Sequence, residues 1–211
     1  MAELTNNYLI VGLGNPGLDY QETRHNAGFL LVDRLISRYD AREEGGMRDS
    51  LLWSAQVDDT RIFLMKPLTY MNLSGRAVGH FLQKTPLQPH QILVAYDDVA
   101  ISLGLIRIRK SGSAGGQKGM RHIIETLGTD QIPRLRIGID SSYREGLPLP
   151  EFVLQPFHEK EVDTVRLVLD QAENAADMWT RDDIAAVMGQ FNKKTPPESR
   201  ETTINGGERS E

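Results

Sequence analysis

The run Tyr8-Leu-Ile-Val-Gly-Leu-Gly-Asn-Pro-Gly17 constrains the fold of this chain more than any other stretch. Its apolar opening reads as a buried strand. Pro16 and the polar residues Asp19 to Asn26 then postpone helical spacing to Phe29, Val32, Leu35, Ile36 and Tyr39. The glycines at 12, 14 and 17 fit G-x-G-x-x-G, which in a dinucleotide fold lays pyrophosphate on a helix opening directly at the third glycine. The delayed helix argues against that reading and against a nicotinamide-dependent oxidoreductase. The glycines are read instead as turn chemistry that brings Asn15 and His25 together just beyond the strand.

Further strands are expected at Leu52 to Val57, Arg61 to Lys66, Ile92 to Asp97, Leu105 to Arg109 and Leu135 to Asp140, with a hairpin at Asp58-Asp59-Thr60. Helical periodicity covers Gly28 to Tyr39, Ser74 to Gln83, Gln117 to Leu127, Glu159 to Trp179 and Asp182 to Phe191. Ser74 reads as an N-cap, and Thr180 with Asp183 as a capping box. Alternating strands and helices predict a single α/β domain over residues 1–192, with a mixed, largely parallel central sheet and helices on both faces. Residues 193–211 are polar and turn-rich, and they read as a disordered tail.

The chain of 211 residues has no cysteine, which excludes thiol catalysis, thiolate metal sites and disulfides. The N-terminus lacks a signal-peptide pattern, no apolar run approaches a membrane span, and the expected location is the cytoplasm. Net charge is −5, yet seven basic residues face two acidic ones between Leu105 and Arg136. In that basic segment Arg107 pairs with Arg109 and Arg134 with Arg136 by period two. Each pair puts two cations on one strand face, as phosphate binding requires, although solvated surface charge gives the same pattern.

Beside the start of the first helix, the positive helix end disfavours imidazolium and keeps His25 available as a base, although a surface or capping histidine would read alike. No two of the five histidines have metal-type spacing, so no metal is expected. Asp97 and Asp98 close the apolar run Ile92 to Tyr96, and one of them can orient an imidazole. Because neighbouring strand residues face opposite ways, the two cannot share that role, and turn capping or magnesium binding remain open for them. Tyr70 and Asn72 lie in a loop entering a helix, where an amide can donate to a carbonyl oxygen, or they are ordinary turn residues. Gly112 to Gly119 is an N–H-rich loop inside the basic segment.

Taken in order, Gly12-Leu-Gly-Asn-Pro-Gly17, Thr23-Arg-His-Asn-Ala-Gly28, Lys66 to Gly75, Tyr96-Asp-Asp98, Gly112 to Gly116, Arg134 to Ile139 and Phe152-Val-Leu154 closely resemble bacterial peptidyl-tRNA hydrolase from about Tyr8 to Phe191. The resemblance implies a monomeric, metal- and cofactor-independent esterase cutting the bond between a peptide and the 3′ CCA end of tRNA, with contacts to the acceptor stem. It implies His25 as catalytic base and Asp97 as its carboxylate partner. Asn15, Tyr20, Tyr70 and Asn72 would contact substrate, with Asn15 selecting N-blocked substrates, while Arg109 and Arg136 would hold phosphate. The chain departs from the family pattern in one place: Gly115-Gly-Gln-Lys-Gly119 stands where many members have Gly-Gly-His-Asn-Gly. Lys118, with donors but no acceptor, is therefore expected on the tRNA terminus or a phosphate. That departure also favours the rival reading, an RNA-binding relative without hydrolysis.

Overall fold

A computed structural model describes residues 7–45, 47 and 49–192. The expected tail at 193–211 lies outside them. Among the described residues seven strands form one sheet: β1 (Asn7–Gly12), β2 (Arg42–Glu44), β3 (Ser50–Val57), β4 (Thr60–Pro67), β5 (Ile92–Ser102), β6 (Ile106–Arg109) and β7 (Arg134–Asp140), in the order β2-β3-β4-β1-β5-β7-β6. The four central strands pair in parallel and the outer pairings are antiparallel. The sheet is thus mixed as expected but evenly divided rather than largely parallel, because antiparallel strands extend both margins. The β3–β4 hairpin turns at Asp58-Asp59, with Asp58 in the left-handed region at φ 52°.

Helices α1 (Ala27–Tyr39), α2 (Ser74–Leu82), α3 (Lys118–Leu127), α4 (Leu149–Val153), α5 (Val162–Trp179) and α6 (Ile184–Phe191) cover both faces. Helices α1, α5 and α6 bury Leu31, Leu35, Val168, Ala172 and Val187 against Ile10, Ala95 and Ile137. Helices α2 and α3 bury Val78, Phe81, Met120 and Ile123 against Val11, Val94 and Tyr96. Strand parity therefore sends Ala95 and Asp97 toward the α1 side and Tyr96 and Asp98 toward the α3 side. Strand β5 runs five residues past Asp97, where an end was expected. Its register shifts between Asp98 and Ser102, and Ser102 still pairs with Asp140.

The glycine pattern serves close packing more than turning. A Cβ on Gly12 would collide with the Gly28 carbonyl and with Val32, and one on Gly28 would meet the backbone of Leu13 and Ala95. Gly14 lies against the Phe29 ring and the Asn26 amide, and only Gly17, at φ 119°, has a backbone that disfavours a side chain. The start of α1 therefore rests directly on β1 and β5.

Local caps depart from expectation where tertiary partners compete. The Ser74 hydroxyl donates to the Met71 carbonyl, and the Gly75 N–H donates 2.9 Å to Nδ1 of His122 on α3. The Thr180 hydroxyl donates to the Asp177 carbonyl, while Asp183 alone caps α6 by accepting from Ala185 N–H at 2.9 Å. Asp183→Ala is expected to cost about 1 kcal/mol, read as a lower midpoint in urea unfolding. Beyond α6, Asn192 brackets edge strand β6: its Oδ1 accepts from Ile108 N–H at 2.7 Å and its Nδ2 donates to the Ile108 carbonyl at 3.1 Å. No helix among the described residues is long and apolar enough to cross a membrane.

Candidate active site

A cavity of about 770 Å³ opens where the loops after β1, β4 and β6 converge beside the middle of β5. His25, Asn15, Tyr70, Asn72, Asp97 and Lys118 all line it. His25 sits in the 3₁₀ turn Arg24–Asn26 that feeds α1, its side chain 18% exposed. Its Nδ1 lies 2.9 Å from Oδ2 of Asp97, which is buried. Seventy-two positions separate the two residues, and the direct contact of α1 with β1 and β5 brings them together. With Nδ1 donating to the carboxylate, Nε2 is left with a lone pair for the cavity.

The part that Asn26 plays is not encoded in its local sequence: its side chain accepts from Asn15 N–H at 2.8 Å and donates to the Asn15 carbonyl at 3.0 Å. Asn15 in turn accepts the Met71 N–H on Oδ1 at 3.3 Å, so one chain of bonds joins the β1 loop to the β4 loop. Gln117 also lines the cavity and contacts Asp97, and sequence spacing gave no sign of it. Arg24 is the third such residue. Its guanidinium pairs with Glu161, lies 4.5 Å over the Phe152 ring and 4.9 Å over that of Phe157, and is buried. Burial alone would raise the Glu161 carboxyl, yet hydrogen bonds from Arg24 and the His158 backbone hold it below the usual carboxylate range.

Asp98 also borders the cavity, but its carboxylate accepts from Ala100 N–H at 2.8 Å and pairs with Arg136. It therefore takes no part in holding the His25 ring, in keeping with strand alternation. Arg107 stands opposite Arg136 and Arg109 opposite Arg134 across β6 and β7, so all four arginines belong to one face. Arg134 must nevertheless be withdrawn from the expected phosphate set. It is 1% exposed, and its guanidinium donates to the carbonyls of Ile132, Gly112, Ser113 and Asp130. Burial holds its pKa below the usual arginine value, and its role is to fasten the Gly112 loop. Arg109 is exposed, Arg136 is partly exposed, and Arg107 has Nη1 3.1 Å from the Ile106 carbonyl.

Tyr20 lies in the 3₁₀ turn Leu18–Tyr20 and does not line the cavity, whereas Tyr70 does and is 68% exposed. Lys118 opens α3 at the cavity wall with its side chain exposed. Val99, Leu149, Pro150, Val153 and Leu154 form an apolar wall opposite the amides. Much of that wall is the helix α4, which is too short to show a helical period in the sequence. Among the described residues no group of three or more His, Cys, Asp or Glu side chains is disposed to hold a metal.

A family model described as peptidyl-tRNA hydrolase matches residues 9–199. The peptidyl-tRNA hydrolase of Elusimicrobium minutum is 42% identical over 185 residues, covering 88% of this chain and 98% of that one. Among solved structures, that of peptidyl-tRNA hydrolase from Acinetobacter baumannii aligns with a TM-score of 0.80 at 32% identity, over 91% of this chain and 97% of that one. A peptidyl-tRNA hydrolase crystallised with N-propanol aligns with a TM-score of 0.82 at 31% identity, over 94% and 100% of the two chains.

Proposed function

This chain belongs to the peptidyl-tRNA hydrolase family and releases peptide from tRNA by hydrolysis, and on that premise we propose that His25 is the general base of the reaction, held by Asp97. The observation that carries the proposal is the 2.9 Å contact between His25 Nδ1 and the buried Asp97 carboxylate at the wall of the cavity. Asp97 fixes the tautomer, and the Nε2 lone pair takes a proton from water as the water oxygen attacks the ester carbonyl. The Asn72 amide donates to the developing oxyanion. When the tetrahedral intermediate collapses, the ribose 3′ oxygen leaves and recovers the proton from the imidazolium. The products are a peptide acid and a free tRNA 3′ end.

A cavity of about 770 Å³ suits a terminal nucleoside with its acyl group and is far too small for tRNA. Only the CCA end enters under this reading, with the acyl side chain against Val99, Val153 and Leu154. The acceptor stem lies outside, with phosphates near Arg109, Arg136 and Lys118. Peptidyl-tRNA arises where ribosomes work, which puts the enzyme in the cytoplasm.

Asn15 supplies selectivity. With Oδ1 occupied by Met71 N–H, its Nδ2 is the atom offered to substrate. A blocked amino terminus has a carbonyl that accepts this bond, whereas a free ammonium group has only donors. The test is parallel deacylation of N-acetyl-aminoacyl-tRNA and aminoacyl-tRNA. The parent is expected to cleave the blocked form selectively, and Asn15→Ala to lower that preference by about tenfold. Equal cleavage of both forms by the parent would remove the selectivity argument, and cleavage of neither would leave the RNA-binding reading in possession.

A further inference from the structure

The Gln117 side chain joins two features that the hydrolytic scheme treats separately: the N-terminus of α3 and the carboxylate that holds the base. Its Oε1 accepts from Gly119 N–H at 2.6 Å and Met120 N–H at 3.1 Å. Its Nε2 faces Sδ of Met71 at 3.2 Å and Oδ1 of Asp97 at 3.4 Å. The neighbours dictate the polarity of the amide. Turned over, it would set its NH2 against two N–H donors and its oxygen against a carboxylate, so every contact would be repulsive. Both oxygens of Asp97 thus have donors, Oδ2 the His25 ring and Oδ1 the Gln117 amide.

We infer that Gln117 is a positioning residue, a helix cap whose amide also fixes the rotation of the Asp97 carboxylate and through it the plane of the His25 ring; this rests on the general-base reading above. A carboxylate held at one oxygen only can pivot about that bond. A donor on the second oxygen removes the pivot. Met71 completes the arrangement, since its N–H binds Asn15 and its sulfur accepts from the same amide that serves Asp97. Gly119 lets α3 begin this close, because a Cβ there would press on Met71 Sδ, Leu13 and Gln117 Oε1. The Gln117-Lys118 pair then has a division of labour: Gln117 faces inward to the carboxylate, while Lys118 stays exposed at the cavity wall.

Capping and donation can be separated by substitution. Gln117→Ser retains a hydroxyl suited to the N-cap but is too short to reach Asp97. Gln117→Glu retains an acceptor for both N–H groups, removes the donor and sets a second negative charge beside Asp97. Both variants are expected to melt within a few degrees of the parent. Gln117→Ser should lose about three- to tenfold in kcat with KM unchanged, the size expected for one neutral hydrogen bond. Gln117→Glu should lose more, and the acid limb of its kcat–pH profile should move to higher pH because added negative charge favours imidazolium. Parent kcat and pH profile in Gln117→Ser would reduce Gln117 to a cap and overturn the inference, as would a loss confined to KM or matched by a lowered melting temperature. His25→Ala measured alongside separates the failures. If that variant keeps parental turnover, the general-base reading falls; if it is inactive while Gln117→Ser is unchanged, only the positioning role falls.

Discussion

His25→Ala is expected to lose about 10²- to 10⁴-fold in kcat on N-acetyl-aminoacyl-tRNA while binding tRNA as the parent does. The loss follows from removing the only group in the scheme that takes the proton from water. Binding survives because Arg109, Arg136 and Lys118 are untouched and belong to other elements. The fold should survive too. The turn carrying His25 is held by its neighbours, Arg24 through Glu161 and Asn26 through Asn15. Single-turnover deacylation gives the chemical step, and a filter-binding titration with tRNA at fixed salt gives the affinity. Turnover within threefold of the parent would take His25 out of the base role, and a loss lying in tRNA affinity alone would make it a binding residue.

The second large effect is on stability. Glu161→Gln is expected to cost about 3–5 kcal/mol, because it leaves the Arg24 charge buried without a counter-ion. Half of the arrangement is backbone: Arg24 N–H donates 3.0 Å to the Gln155 carbonyl, and Thr23 bridges to Pro156. The pair thus fastens the segment that follows α4 to the turn that precedes α1. Since the folded carboxyl lies below its ordinary value, its contribution is complete above the unfolded value of about 4.3 and is lost as pH falls through the folded one. The parent should therefore weaken on the acid side, and the variant should show a flatter dependence there. Urea unfolding at neutral pH and at several acid values measures both. A cost under 1 kcal/mol at neutral pH would mean that Arg24 finds water when its partner is gone.

Where residues act through local period, sequence and structure agree closely. The strand at Tyr8 is a short apolar run buried on both faces, the hairpin at Asp58-Asp59 is a local turn, and the helices carrying Val32, Val78 and Ile123 each bury one face. Strand β2, Arg42-Glu43-Glu44, has no apolar alternation and exists because β3 offers it a partner, and α4 is too short to display a period. The site divides in the same way. His25, Asp97, Asn15 and Asn72 are recognisable from motif order, and the cavity gathers all four. Arg24, Asn26 and Gln117 act through partners 137, 11 and 20 positions away, and no local pattern encodes such contacts. Arg134 shows the reverse error. Its strand face follows from parity, but its burial depends on the Gly112 loop folding over it.

The Asn192 amide meets both the N–H and the carbonyl of Ile108, which is how a neighbouring strand residue would meet them. It stands in for an eighth strand and denies the outer margin of β6 to another molecule seeking to add its own. Arg107 and Arg109 flank that position on the same strand, so a second copy of the chain adding its own β6 there would also have to bring like charges together. A chain cut short before residue 192 would expose this margin, and self-association into aggregates would be the first sign of it.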